Sequence, residues 1–227
     1  MTTKTISHFQ ADHILTRFVF PPLFRRHIIQ LGNSGVYVIY DELEGKEAVT
    51  WSYLLHTVEL PMEMKELPND VQVTGKNKAG GVSVAHLFSS AKTEQAIADT
   101  FFCAPTNWKN VTNAQGKALK YPNHWHFSST TVPCKVARFL TVMDTHGNNR
   151  PDMKVVRNGN TVQVGDWIIN CNLTEKGKAA ITVTNKSEKV SLNYDAGKKE
   201  GATILTDQVK GKQISKVLTD YLPDFEI

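Results

Sequence analysis

The chain has 227 residues, with 26 basic and 22 acidic side chains and a formal net charge of +4. That length supports a well-filled core without covalent staples, and 41% hydrophobic with 21% charged residues excludes wholesale disorder. No run approaches 18 apolar residues, so no membrane span is expected, and the charge is too evenly spread for a nucleic-acid-binding arm.

Residues 1–9 lack the apolar core of a secretory signal. Beyond them the dominant period is two. Arg26-His27-Ile28-Ile29-Gln30-Leu31, the turn-rich Gly32-Asn33-Ser34-Gly35, and Val36-Tyr37-Val38-Ile39-Tyr40 read as strand, loop and strand. A turn around Glu44-Gly45-Lys46 leads to a third strand over residues 49–56, so an antiparallel meander is expected. Further strands are expected at 71–74, 82–88, 125–127, 135–143, 162–164, 167–170, 180–184 and 190–192, at sandwich or barrel spacing. Asp144-Thr145-His146-Gly147 reads as a turn, and Asn158-Gly159-Asn160 and Glu175-Lys176-Gly177 suit hairpin corners. Two short helices are expected, over residues 93–98 with Thr93 as a cap and over residues 213–218. Residues 104–123, with Pro105 and Pro122, read as a long surface loop. The expected fold is all-β: a two-layer antiparallel β-sandwich with few short helices, forming a single domain over 1–227.

Candidate chemistry is sparse. There is no glycine-rich phosphate loop, no Gly-x-Ser-x-Gly elbow and no His-Glu-x-x-His. Cys103, Cys134 and Cys171 are odd in number and lack metal-type spacing, which excludes a disulfide framework and a zinc finger but leaves a single bridge open. His124-Trp125-His126, with Trp108 and Tyr121 upstream, has the residue mix of a sugar-contacting surface: flat rings for pyranose faces and polar groups for hydroxyls. The bland alternative is an aromatic anchor that pins the loop. Arg25-Arg26-His27 suits a carboxylate or sulfate through bidentate arginine contacts. In a tight hairpin, however, Arg26 stands opposite Asp41, and an ordinary half-exposed ion pair is the better account. Sequons occur at Asn110, Asn172 and Asn185.

An ordered series then becomes visible. Phe24-Arg25-Arg26-His27-Ile28-Ile29-Gln30-Leu31, Val36-Tyr37-Val38-Ile39-Tyr40-Asp41-Glu42-Leu43 and Trp51-Ser52-Tyr53-Leu54-Leu55-His56 open it. Pro105-Thr106-Asn107-Trp108, Tyr121-Pro122-Asn123-His124-Trp125-His126 and Arg138-Phe139-Leu140-Thr141-Val142 continue it. Together they resemble the C-terminal β-sandwich, supersandwich-like, of heparinase II/III-like polysaccharide lyases. The resemblance implies a domain that walls the cleft for an acidic polysaccharide cleaved by β-elimination at a uronic acid. It also implies an N-terminal helical toroid that supplies most of the acid–base machinery, a periplasmic or secreted parent protein, and a chain inactive by itself. No catalytic residue is assigned by motif; His27 and His126 are the cleft candidates. Arg25, Trp108, Tyr121, His124, Trp125 and His126 are the substrate-binding candidates.

Some members of that family hold a divalent metal with histidine and aspartate from the opening strands, and His27, Asp41 and His56 match those positions. Two imidazoles and a carboxylate favour zinc. A plain meander argues against the site, because it places Asp41 opposite Arg26 and carries His56 about 20 Å further along. Two rival readings stay open: a stand-alone carbohydrate-binding module, and a structural interaction module without catalysis.

Overall fold

The computed structural model describes residues 7–12, 23–58, 60–68, 70–99, 112–117, 124–198, 203–209 and 212–218. In chain order the strands are β1 (Ser7–Asp12), β2 (Leu23–Gln30), β3 (Val36–Val49), β4 (Ser52–Val58), β5 (Glu63–Glu66) and β6 (Val71–Lys76). There follow β7 (Gly81–Ser89), β8 (Thr93–Ala98), β9 (His124–Thr131), β10 (Cys134–Gly147), β11 (Val155–Asn158) and β12 (Thr161–Val164). The last are β13 (Trp167–Cys171), β14 (Ala180–Asn185), β15 (Val190–Asp195), β16 (Thr203–Val209) and β17 (Lys212–Leu218). Among the described residues there is no helix.

These strands form three antiparallel sheets. The first runs β1-β2-β3-β10-β7-β6-β5, the second is a seven-stranded meander from β11 to β17, and the third is β4-β9-β8. The first sheet is the middle layer, and its two central strands show why. Along β3, Val36, Val38 and Tyr40 join the core shared with the second sheet, where Ile169, Ile181, Val183 and Leu192 meet them. Leu43, on the alternate face, joins Trp51, Tyr53 and Phe127 of the third sheet's side. The pleat sends successive side chains to opposite faces. A strand covered on both faces therefore reads as a nearly continuous apolar run, as in residues 36–40 and 139–143. The all-β sandwich is thus seven strands on seven, with a three-stranded sheet added to the far face.

The opening hairpin has the expected register, with Arg26 opposite Asp41 and Gln30 opposite Tyr37. Gly35 carries a positive φ of 77°. A Cβ there would run into the Thr145 carbonyl oxygen, so only glycine lets this turn sit against β10. The expected third meander strand does not pair with its predecessor. β3 continues through Glu44-Gly45-Lys46 to Val49 along β10, with a register shift between Cys134 and Val136, and β4 leaves to pair with β9 in another sheet. The turn signal at Gly45 was therefore a bulge.

Both expected helices are strands. Residues 93–98 are β8, in which Thr93, Gln95 and Ile97 are half-buried while Glu94 and Ala96 are exposed, a period of two. The pairing of Ile97 with Phe127 decides the matter, since six residues carry too little helix propensity to resist a waiting strand edge. Residues 213–218 lie in β17, paired with β16. His146, expected in a turn, lies within β10 opposite Val82.

Candidate functional site

The candidates from the opening strands are built into the interior. Arg25, His27 and Glu42 face the second sheet. His27 is fully buried, and Glu42 is 2% exposed. The His27 ring packs on the Tyr194 ring with centroids 4.1 Å apart, and its Nε2 lies 3.3 Å from Glu42 Oε1. Tyr194 donates its hydroxyl to the same oxygen at 2.5 Å and accepts from Arg25 at 2.8 Å. Burial alone would raise the Glu42 carboxyl, but its bonds to His27 and Tyr194, with Arg25 nearby, hold it below the usual range. This network ties β2 and β3 to β15. It leaves His27 closed to solvent.

Arg26 and Asp41 face the other way. Arg26 donates to both carboxylate oxygens of Asp41 at 2.6 and 2.7 Å and lies 5.4 Å from the centre of the Tyr53 ring. Asp41 is 2% exposed, so the pair is more buried than the half-exposed one expected. The bond to Asp41 raises the Arg26 guanidinium further above its already high ordinary value.

The three residues matched to a metal site are consequently distributed over the molecule. His27 stands opposite Tyr40 and Asp41 opposite Arg26, so the two side chains leave opposite faces of one sheet. His56 belongs to β4, opposite His126. Among the described residues, no group of three histidine, cysteine or carboxylate side chains has the spacing of a metal centre. Cys134 and Cys171 are free and buried, and burial pushes the Cys171 thiol up to about 12.

The remaining candidates do gather. On β9, Phe127 and Ser129 point inward and are buried, so His124 and His126 point outward. On β4, Tyr53 points inward and His56 outward. The cross-strand pair brings the His56 and His126 ring centroids to 5.9 Å, and His124 follows two residues along on the same face. Desolvation, then the neighbouring His126 and His124, holds the His56 imidazole below its ordinary value. Trp125 takes the inward face and packs on the core between the first and third sheets. Its ring is partly buried there. Trp108 and Tyr121 lie outside the described residues.

Trp125 stands opposite Thr57, and Thr57 borders a groove. This open groove, about 510 Å³, is lined by Gly75, Lys76, Asn77, Ser83, Thr145 and His146. It exists where the third sheet stops short of covering the first. Gly75 permits the close approach at its edge: a Cβ there would stand 2.6 Å from the Thr57 methyl. His146 is oriented in the wall, with Nδ1 2.7 Å from the Gly147 carbonyl oxygen and Nε2 3.0 Å from Asp152 Oδ1. Sequence reasoning missed this groove. Lys76 and Asn77 are far along the chain from His146, and only the β6–β7–β10 pairing brings them together.

Compared with known proteins, the chain matches no family model and no curated protein. The functional reading therefore stands on this geometry and on the ordered motifs.

Proposed function

We propose that the chain is the β-sandwich domain of a heparinase II/III-like polysaccharide lyase and that it contributes one wall of a cleft for an acidic polysaccharide. The observation that supports this best is the surface around the end of β4 and β9. There the outward face of the third sheet bears three imidazoles, and on its inner side Thr57 borders an open groove lined by hydroxyls, an amide and Lys76. Such a surface suits a polyhydroxylated anion, which needs many moderate donors and few strong ones. β-Elimination needs a base at C5 and neutralisation of the uronate carboxylate. The buried carboxylates Asp41, Glu42 and Asp144 are held by Arg26, by His27 with Tyr194, and by Arg150, respectively. In this reading the reacting groups come from the helical toroid, in a secreted or periplasmic parent enzyme. A stand-alone carbohydrate-binding module would use the same face.

The test is binding and turnover by residues 1–227 with heparin, heparan sulfate, chondroitin sulfate and alginate. Salt-sensitive binding is expected, weakened by Lys76→Ala and by His124→Ala, with no ultraviolet absorbance from unsaturated uronate. Because the His56 imidazole is held low, it gains its proton only at acidic pH. Binding should therefore tighten as pH falls below the ordinary imidazole range, and less so in His56→Ala. Absence of binding to every acidic polysaccharide would overturn the glycan reading. Turnover by this chain alone would overturn the division of labour.

A further inference from the structure

A second cleft opens between the first and third sheets, on the side where β6 and β7 face β8 and β9. Its volume is about 280 Å³, at the small end for ligand sites and suited to a single ring rather than a chain. One side is apolar, with Leu87, which is 3% exposed, beside Pro68 and Val71. The other side is polar and carries Glu66, Asp70, Lys92, Gln95 and Ser129.

Ser129 is the unusual member. It is 1% exposed, inward on β9 between Tyr53 and Gln95 on the neighbouring strands, and its Oγ has no hydrogen-bond partner among the described residues. A buried hydroxyl without a partner costs folding free energy, and a residue that borders a cleft can recover that cost from a ligand. The groups around it are held in place. Asp70 Oδ2 is 2.6 Å from His86 Nδ1, and Gln95 donates Nε2 to Thr93 Oγ1 at 2.6 Å. Carboxylate and amide oxygens accept from hydroxyls, while the apolar side offers a surface for the C–H face of a ring.

We propose that this cleft binds one neutral pyranose unit. The choice of ligand class rests on the glycan reading above; the cleft itself does not. Charge selects the neutral unit: Lys92 is offset by Glu66, and Asp70, already bonded to His86, offers a carboxylate or sulfate no donor. The site is distinct from the groove at the opposite ends of these strands, whose cationic member is Lys76.

Backbone amide NMR titration of the chain with the methyl glycosides of glucose, galactose and N-acetylglucosamine, and with glucuronate, tests the proposal. Saturable shifts are expected at Ser89, Gln95 and Ser129 with at least one neutral glycoside, and weaker ones with glucuronate. Ser129→Ala should lower that affinity about tenfold while leaving the melting temperature of the free protein unchanged or slightly higher, because it removes an unpaired buried group. Gln95→Ala, at a half-buried position, should weaken binding as an independent check. The proposal is overturned if no neutral glycoside shifts these residues, if glucuronate binds as well or better, if Ser129→Ala binds like the parent, or if it melts markedly lower. Polysaccharide binding that still responds to Lys76→Ala would then show that the broader glycan reading survives without this site.

Discussion

Asp144 and Arg138 show how single polar side chains hold the sheets' connections. Asp144, 2% exposed on β10, accepts from Arg150 Nη1 at 2.9 Å and from the Met153 backbone N–H at 2.8 Å, while Arg150 also reaches the Ser34 carbonyl. Burial would raise the Asp144 carboxyl, but Arg150 and the Met153 amide outweigh it and hold the carboxyl low. A carboxyl lowered on folding contributes stability above its unfolded value, near 4, and loses it as pH falls through the folded value. Melting temperature should therefore drop on acidification below about pH 4, and Asp144→Asn should flatten that drop while lowering stability at pH 7. Arg138 is 1% exposed; it donates to the carbonyls of Thr174 and, at 2.7 Å, of Gly177. Arg138→Lys loses the planar fork and should cost about 1.5–3 kcal/mol in denaturant titration. Two of the sequons also resolve at this scale, and Asn110 lies outside the described residues. Asn172 spends its amide nitrogen on the carbonyls of Lys176 and Lys178, and Asn185 is buried and caps its own turn. Both read here as turn chemistry.

At the scale of elements, the departures from the sequence reading share one cause. Short segments take the conformation their neighbours offer. Residues 93–98 become β8 because β9 presents an edge, and residues 52–58 leave the meander because β10 claims the flank of β3. Gly75 marks a close approach of the first and third sheets. Gly75→Ala should destabilise by about 1–3 kcal/mol through overpacking. Thr57→Ser, which deletes the obstructing methyl, should restore most of the loss in the double variant. A double-mutant cycle on thermal melts reads this coupling, and additive losses would show that the strain lies elsewhere.

For the molecule as a whole, β3 and β10 are the hub, since one core lies on each of their faces. A probe in either core should therefore report the same transition. Phe127→Ala, at a fully buried site in the core under the third sheet, should cost about 3–5 kcal/mol. The fluorescence of Trp167, in the other core, should move to the same lowered midpoint. The hub pairs residues as distant as Tyr40 and Leu140, so folding should fall in the millisecond-to-second range of non-local β topologies, measured by stopped flow. Two separated transitions would mean that the layers fold independently.

Much of this organisation is legible in the chain itself. The period-two runs, the Gly32-Asn33-Ser34-Gly35 turn and the Arg26–Asp41 pair follow from local geometry, because strand alternation and hairpin register need only neighbouring residues. Tertiary structure alone decided which strands share a sheet, and with that the character of the site. It buried His27 against Glu42 and Tyr194, sent Asp41 to the opposite face, and assembled His56, His124 and His126 from β4 and β9. It also brought Lys76 and His146 to the border of one groove and left Ser129 facing a cleft. Pairing partners beyond a hairpin are chosen by packing between distant segments, and that information is carried by no single stretch of sequence.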